Sequence, residues 1–426
     1  QAFNSTKCDA PASDLKQYDS KTLVGSASAP GPITATDPQT LTLNLEAPSA
    51  WAIGGLTTTQ SFAVPKQLID QFGLKDWTNH LIGFSGSMFS LTTWDHQGHV
   101  TMTRNDGFTI QKKPTLKEID FTIYKDGQTE FADFQNGRLD VGAPPAEQYQ
   151  AHKNDKTFKE IPFLNVGYVA PNWGRAPFDD IRARQAFNLA INRDALATAI
   201  GHGDSIPSFH IVPQGEFGYN KNLTLPQGVT STAGDAAKAT ALFQDYAKDK
   251  CGGDISKCAP VTFEITTGPT AQAEAAALQG MWQSAFQGLK VQIKLVDFNT
   301  LLDDVFGQPS PATVPQMYVL GYALDYPDPQ DWLSLQFAKN SPNNTVGIND
   351  DTLFQQMTAC DTTTGPSREA ACNQAEQTAV NDSAWMVLDQ AKDFWETNPN
   401  NKIVNYGHQS GGMPSLFQWL DTFIAA

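Results

Sequence analysis

The sequence predicts an α/β fold of two lobes, and three observations carry that expectation. The first is length: 426 residues exceed what one ordinary hydrophobic core organises, so two domains or lobes are expected. The second is a βαβ unit. Val261–Thr266 reads as a strand, Thr270 caps an Ala-rich helix running to about Gln287, and Val291–Val296 reads as the next strand. Such a crossover is nearly always right-handed. The third is the same rhythm earlier in the chain. An alternating strand at Glu118–Tyr124 leads to a short helix at Thr129–Asn136, closed by Gly137, and Leu139 to Gly142 begins another strand.

The remaining elements follow in order. Residues 1 to 36 are rich in Ser, Ala, Pro and Asp and read as irregular structure. Thr40–Glu46 alternates with period two, as a half-buried strand does. Val64–Phe72 reads as a short helix, and Phe89–Trp94 with Val100–Arg104 as a hairpin across Asp95-His96-Gln97-Gly98. Asn165–Trp173 carries an apolar strand into a loop. Asp179 or Asp180 then caps a helix that lines up Ala183, Ala186, Phe187, Ala190 and Ile191 on one face. Asn192 caps a second helix ending at Gly201. Arg182, Arg184 and Arg193 on this pair read as solvated or salt-bridged, and Trp173 and His210 as structural. Helices near 351–360 and 367–380 precede a strand at Trp385–Leu388, and the tail holds a Gly411-Gly412 turn with Phe417, Trp419 and Phe423.

One stretch resists a purely structural account. Tyr318–Leu324 is an apolar run of strand length, and Asp325 follows it. Asp328 then takes an N-cap position, Pro329 the first helical position, and Asp331 the first turn, where negative charge suits the helix dipole. Asp325 has no such role. It stands where a strand runs out, the ligand-facing edge of an open α/β sheet, and is expected to receive a positive group in a cleft.

Composition excludes several functions. A formal charge of -16 and a pI near 4.7 argue against nucleic acid or anionic lipid as partner. No 18-residue apolar run occurs that would span a bilayer. Low charge content (17%) and few Lys suit a secreted protein. Cys251 and Cys258 flank a short flexible loop, and Cys360 and Cys372 a turn-rich segment. Each pair is expected to close a disulfide worth about 2–3 kcal/mol in the loop-closure picture, which leaves Cys8 over. Zinc would need tighter spacing or accompanying His. No nucleophile elbow is complete, since Gly83-Phe84-Ser85-Gly86 falls short of it. Two prolines and a missing glycine break any calcium loop at Asp325, Asp328 and Asp331. No enzyme activity, cofactor or metal is expected.

Several stretches, in order, resemble the extracellular solute-binding proteins of the peptide/nickel type (family 5) that serve ABC importers. They are Lys113–Phe121 with Thr129 through Gly137-Arg138-Leu139-Asp140-Val141, then Ala176–Ala195, His210-Ile211-Val212-Pro213 with Gly218-Tyr219, and Gly321–Pro329 followed by Asn343-Asn344-Thr345. Tyr322 stands where the family usually has Trp. The resemblance implies a two-lobed, periplasmic-binding-protein-like (type II) architecture, with mixed sheets flanked by helices. It divides the chain into 1–36, a remnant of an upstream small domain, 37–170 with 396–426 as lobe I, and 171–395 as the ligand-binding lobe II. Lobe I is expected to be incomplete, with the signal or lipid anchor lying before Gln1. By the same resemblance Asp325 holds the α-amino group of a bound peptide. The backbone from Gly321 to Leu324 adds strand-like hydrogen bonds, and Tyr322 and Tyr168 supply walls. The implied function is that of a monomeric, extracytoplasmic substrate-binding component. It captures peptides or a similar small solute between lobes and delivers them to permease subunits. The competing readings are an extracellular hydrolase, which turnover of a peptide would reveal, and a truncated remnant that no longer binds.

Overall fold

The computed structural model describes residues 24–26 and 33–407, apart from 38, 46–47, 59–60, 62, 84–85 and 309, together with 419 and 422–424. Cys8, the 411–412 turn, Phe417 and most of 1–36 lie outside the described residues.

The chain opens with β1 (Val24–Ser26), β2 (Ile33–Asp37) and β3 (Thr40–Leu43), three strands paired in that order, and two short helices, α1 (Ala52–Gly55) and α2 (Lys66–Phe72). The first two strands fall in the segment expected to be irregular. An antiparallel meander follows: β4 (Phe89–Trp94), β5 (His99–Arg104) and β6 (Glu118–Thr122). Asp95 makes its first turn. Its carboxylate accepts from the amides of Gln97, Gly98 and His99 at 2.8–2.9 Å, and these three donors hold its pKa down at about 2. Next come α3 (Gly127–Gln135), β7 (Val141–Gly142), α4 (Tyr149–His152), β8 (Phe158–Pro162) and β9 (Asn165–Pro171).

Helices α5 (Ile181–Leu189) and α6 (Arg193–Ala199) meet at a bend. Asp180 accepts from the Arg182 amide at 2.9 Å and Asn192 from the Ala195 amide at 3.0 Å, so both caps stand where the sequence places them. β10 (Ser205–Pro207) and α7 (Ala236–Lys250) lead into the βαβ unit: β11 (Val261–Thr266), α8 (Pro269–Ala285) and β12 (Val291–Val296), its strands parallel. Thr270 does not cap α8. Gly268 occupies the N-cap at φ 133°, a conformation that favours glycine, and Pro269 takes the first helical position. After α9 (Phe298–Phe306) come β13 (Met317–Ala323), α10 (Pro329–Trp332), α11 (Ser334–Phe337), α12 (Asp351–Thr362), α13 (Pro366–Asn381), β14 (Met386–Thr397), β15 (Ile403–Val404) and β16 (Phe423–Ile424).

The main sheet runs β10-β14-β9-β13-β11-β12 and is mixed. Its core gathers Val166, Val169, Phe263 and Met317 from the strands against Phe187, Phe243, Trp282 and Phe286 from the helices, all completely buried. Each such side chain contributes about 1.5–3 kcal/mol on leaving water. Trp282 Nε1 donates to the Phe187 carbonyl at 3.0 Å, which removes the one polar cost of burying it. Disulfides join Cys251 to Cys258 at the end of α7, and Cys360 to Cys372 between α12 and α13, as expected. No helix among the described residues is long and apolar enough to cross a membrane.

Strand β14 is three times the expected length and changes partners midway. Its first half pairs with β9 and β10, and Lys392–Glu396 pairs with β8. β9 lies wholly within the main sheet. The chain passes from β8 into β9 of the main sheet between Pro162 and Asn165, and β14 passes from its β9- and β10-paired half to its β8-paired half at Ala391–Lys392. Arg193 also departs from expectation. It is neither solvated nor salt-bridged but fully buried, donating from Nε to the Val387 carbonyl at 2.6 Å and from a terminal nitrogen to Asn188 Oδ1 at 2.5 Å. Arg184 is buried too. It donates to the carbonyls of Asp382 and Phe178 and lies 3.7 Å over the Trp173 ring, whereas Arg182 pairs with Asp180 and Asp249.

Candidate functional site

Strand β13 has one closed edge and one open edge. It pairs with β9 along its whole length, from Met317 opposite Pro171 to Ala323 opposite Asn165. On the other side β11 meets it only at Phe263–Met317 and Glu264–Tyr318. The two strands then part. From Val319 to Ala323 that edge has no ladder partner among the described residues, and Gly321 and Ala323 are exposed. An open edge offers a row of N–H and C=O groups that an extended segment can join as an added strand.

At the end of this edge the acids separate into distinct environments. Asp328 is structural: both its oxygens accept from Arg368, at 2.6 and 2.8 Å, and Oδ1 also caps the Gln330 amide. Asp331 is fully buried. Its Oδ1 accepts from the Tyr322 hydroxyl at 2.8 Å and its Oδ2 from the Asp325 amide at 3.0 Å, so it fixes both the aromatic ring and the turn that carries Asp325. No cation pairs with it among the described residues, and burial pushes its pKa up to about 7. Glu216, nearby and also buried, is pushed up to about 7 for the same reason. Asp325 differs. Its side chain is exposed, and its one hydrogen bond among the described residues is a long one, 3.3 Å, from the Tyr322 hydroxyl. Tyr322 itself stands edge-on to Trp332, with ring centroids 5.3 Å apart.

Where β11 and β13 diverge, a cavity of about 540 Å³ opens beside Val319, Leu320 and Gly321. Four carboxylates line it: Glu147, Asp204, Glu274 and Asp389. Burial raises the pKa of the last three, Glu274 to about 7, with the Asp389 charge adding to the effect on Asp204 and Glu274. Asp389 comes so close to β9 that its Oδ1 lies 2.7 Å from where a Cβ on Gly167 would stand, so a side chain at that position would force the Asp389 carboxylate to move. Lys392 is the one Lys or Arg in the lining, and it donates to the Tyr149 hydroxyl at 2.8 Å. A second cavity, of about 460 Å³, lies beside His210 and Tyr219. His210, pushed down to about 4 by burial, stacks on Phe209 and meets the Tyr219 ring at a tilt there.

Of the expected site residues, Gly321, Tyr322 and Asp325 lie together along the open edge and its end. Two do not. Tyr168 is buried and stacked flat on Trp385 at 3.8 Å, so it packs the core and forms no wall. Leu324 is buried as well, and its amide already donates to the Leu164 carbonyl at 3.0 Å, so it has neither side chain nor N–H to offer. Asp331, Glu274 and Asp389 are additions that the sequence alone did not single out. An acid in the first turn of a helix looks the same in sequence whether that helix is buried or exposed. Asp389 sits just beyond Leu388, where the expected strand stopped and β14 continues.

A model of the family described as "Bacterial extracellular solute-binding proteins, family 5 Middle" matches residues 12–344. The oligopeptide-binding protein OppA of Bacillus subtilis is 24% identical over 326 residues, 75% of this chain and 58% of that protein. The dipeptide-binding protein DppE of the same organism is 24% identical over 362 residues, 82% of this chain and 63% of that protein. The chain thus spans about three-fifths of the length of these relatives. Among solved structures, OppA of Haemophilus influenzae in complex with RPPGFSPFR superposes with a TM-score of 0.71 at 17% identity, over 92% of this chain and 74% of that one. The murein tripeptide binding protein MppA of Escherichia coli gives 0.70 at 19% identity, over 92% and 74%. The fold is therefore the two-lobed type II architecture, and the chain belongs to the bacterial extracellular solute-binding proteins of family 5.

Proposed function

We propose that this chain captures peptides outside the cytoplasm and presents them to the permease of an ABC importer. The observation that carries the reading is the open edge of β13 ending at the exposed carboxylate of Asp325. An extended peptide adds to Val319–Ala323 through main-chain hydrogen bonds, which read no side chain and so admit many sequences. Its α-amino group meets Asp325, with which no cation pairs among the described residues. Asp331 acts behind it, positioning Tyr322 and the Asp325 amide. The cavity beside the edge takes one side chain. With Asp204, Glu274 and Asp389 set against Lys392, it favours a basic or neutral side chain over an acidic one. The two strand passages at 162–165 and 391–392 serve as the hinge about which the lobes close on the ligand. The printed names of the relatives, oligopeptide- and dipeptide-binding proteins, agree with this ligand class.

A thermal-shift screen against di- to pentapeptides, each with a free amino terminus, tests the reading. Peptides that bind the folded state raise the melting temperature, and Lys- or Arg-containing peptides are expected to raise it more than their Glu counterparts. No shift with any peptide would overturn the proposal. Release of amino acids during the incubation would favour a hydrolase instead.

A further inference from the structure

His152, Asp155 and Glu396 converge away from the β13 edge. The His152 Nδ1 atom lies 2.9 Å from Asp155 Oδ2 and 3.1 Å from Glu396 Oε1, and the three atoms all fall within 4.8 Å of one another. One ring nitrogen therefore faces two carboxylates, although it can hold only one proton. The hydrogen bond goes to Asp155. Glu396 Oε1 is buried, aimed at the same nitrogen, and accepts no hydrogen bond. A buried carboxylate oxygen left this way is costly. A cation on the Nδ1 lone pair would satisfy both carboxylates at once.

The positions are fixed by the fold. Glu396 closes β14, where it pairs with Phe158 of β8 and with Gly142 of β7. His152 ends α4, its ring held edge-on by Phe131 at 4.9 Å, and the Asp155 amide donates to the His152 carbonyl at 2.8 Å. Asp155 is exposed, so the fourth direction opens to solvent. One imidazole with two carboxylates suits Zn²⁺ better than Ca²⁺ or Mg²⁺, which prefer oxygen alone. Bonds of about 2.0–2.1 Å place tetrahedral donors roughly 3.3 Å apart, so the two separations between His152 and the carboxylates need to widen by only a few tenths of an ångström.

We propose that His152 Nδ1, Asp155 Oδ2 and Glu396 Oε1 form a Zn²⁺ site that ties α4 to the far end of β14. The metal would clamp the strand that leaves the main sheet at Lys392 onto the neighbouring lobe. Calorimetric titration of Zn²⁺ into tag-free, chelator-treated protein tests it, with melting temperature as a second readout. One equivalent should bind and raise the melting temperature, and Mg²⁺ should do neither. Asp155→Asn changes an exposed side chain and leaves the fold intact. It should weaken binding at least about tenfold, the lower end of what even outer-shell changes cost. Glu396→Gln should abolish it. Failure of Zn²⁺ to bind, or binding unchanged in Asp155→Asn, overturns the proposal whether or not the Glu396 variant folds.

Discussion

Arg193 and Asp331 are both removed from water, yet the protein treats them in opposite ways. Arg193 is surrounded by acceptors of its own chain, the Val387 carbonyl and Asn188 Oδ1 closest among them. Its charge is held by dipoles, although burial still pulls its pKa down to about 9. Asp331 receives two hydrogen bonds and, among the described residues, no cation, and Glu216 adds to the negative charge around it. Asp325, exposed beside them, completes an anionic rim at the end of an open strand edge. A buried charge closed by the chain's own groups is scaffold. Negative potential left open at a ligand-sized opening invites a positive group from outside.

The comparison predicts effects of different kinds and sizes. The largest falls on Arg193. Arg193→Met removes the guanidinium and orphans its carbonyl partners, and should cost about 3–5 kcal/mol in urea unfolding. A loss below about 1 kcal/mol would mean that the arginine is not structural.

A smaller effect concerns pH. Asp331 and Glu216, both raised to about 7 from ordinary values of 3.8 and 4.5, hold protons in the folded chain that the unfolded chain has released over pH 4.5 to 7. Folding therefore takes up protons in that window, and stability rises as pH falls through 7. Glu376, raised to about 8, acts in the same direction, while His210, lowered to about 4 from 6.5, opposes it below 6.5. Peptide-free protein should melt at a higher temperature at pH 6 than at pH 8. Asp331→Asn should flatten that rise by about 1–2 kcal/mol. A melting temperature that falls from pH 8 to pH 6 would contradict the assignment.

Much of this scaffold is written locally. The caps at Asp180, Asn192 and Asp328, the βαβ unit at 261–296 and both disulfides depend on neighbours in the chain, and the sequence spells them out. The site is written less locally. Asp325 stood out because a strand ends there and no helix-start role claims it. Nothing in 318–324 says that β11 peels away after Tyr318, because strand pairing is a tertiary fact. Leu324 was expected at the cleft because it adjoins Asp325 in sequence, and Tyr168 because of the family resemblance, but which side chains a fold buries is again a tertiary fact, and both are buried. The second half of β14 is polar because it lines a cavity and then changes partners, so its pattern did not look like a buried strand.

The pairing of the peptide α-amino group with Asp325 is tested most directly by a two-by-two calorimetric titration. The tightest tripeptide from the screen and its Nα-acetyl form are each titrated into the wild-type protein and the Asp325→Asn variant. Acetylation and Asp325→Asn should each weaken binding by about 2 kcal/mol, roughly 30-fold. Together they should cost no more than either alone, because each removes the same contact. Equal binding of the two peptides by the wild-type protein, or losses that simply add, would contradict the account.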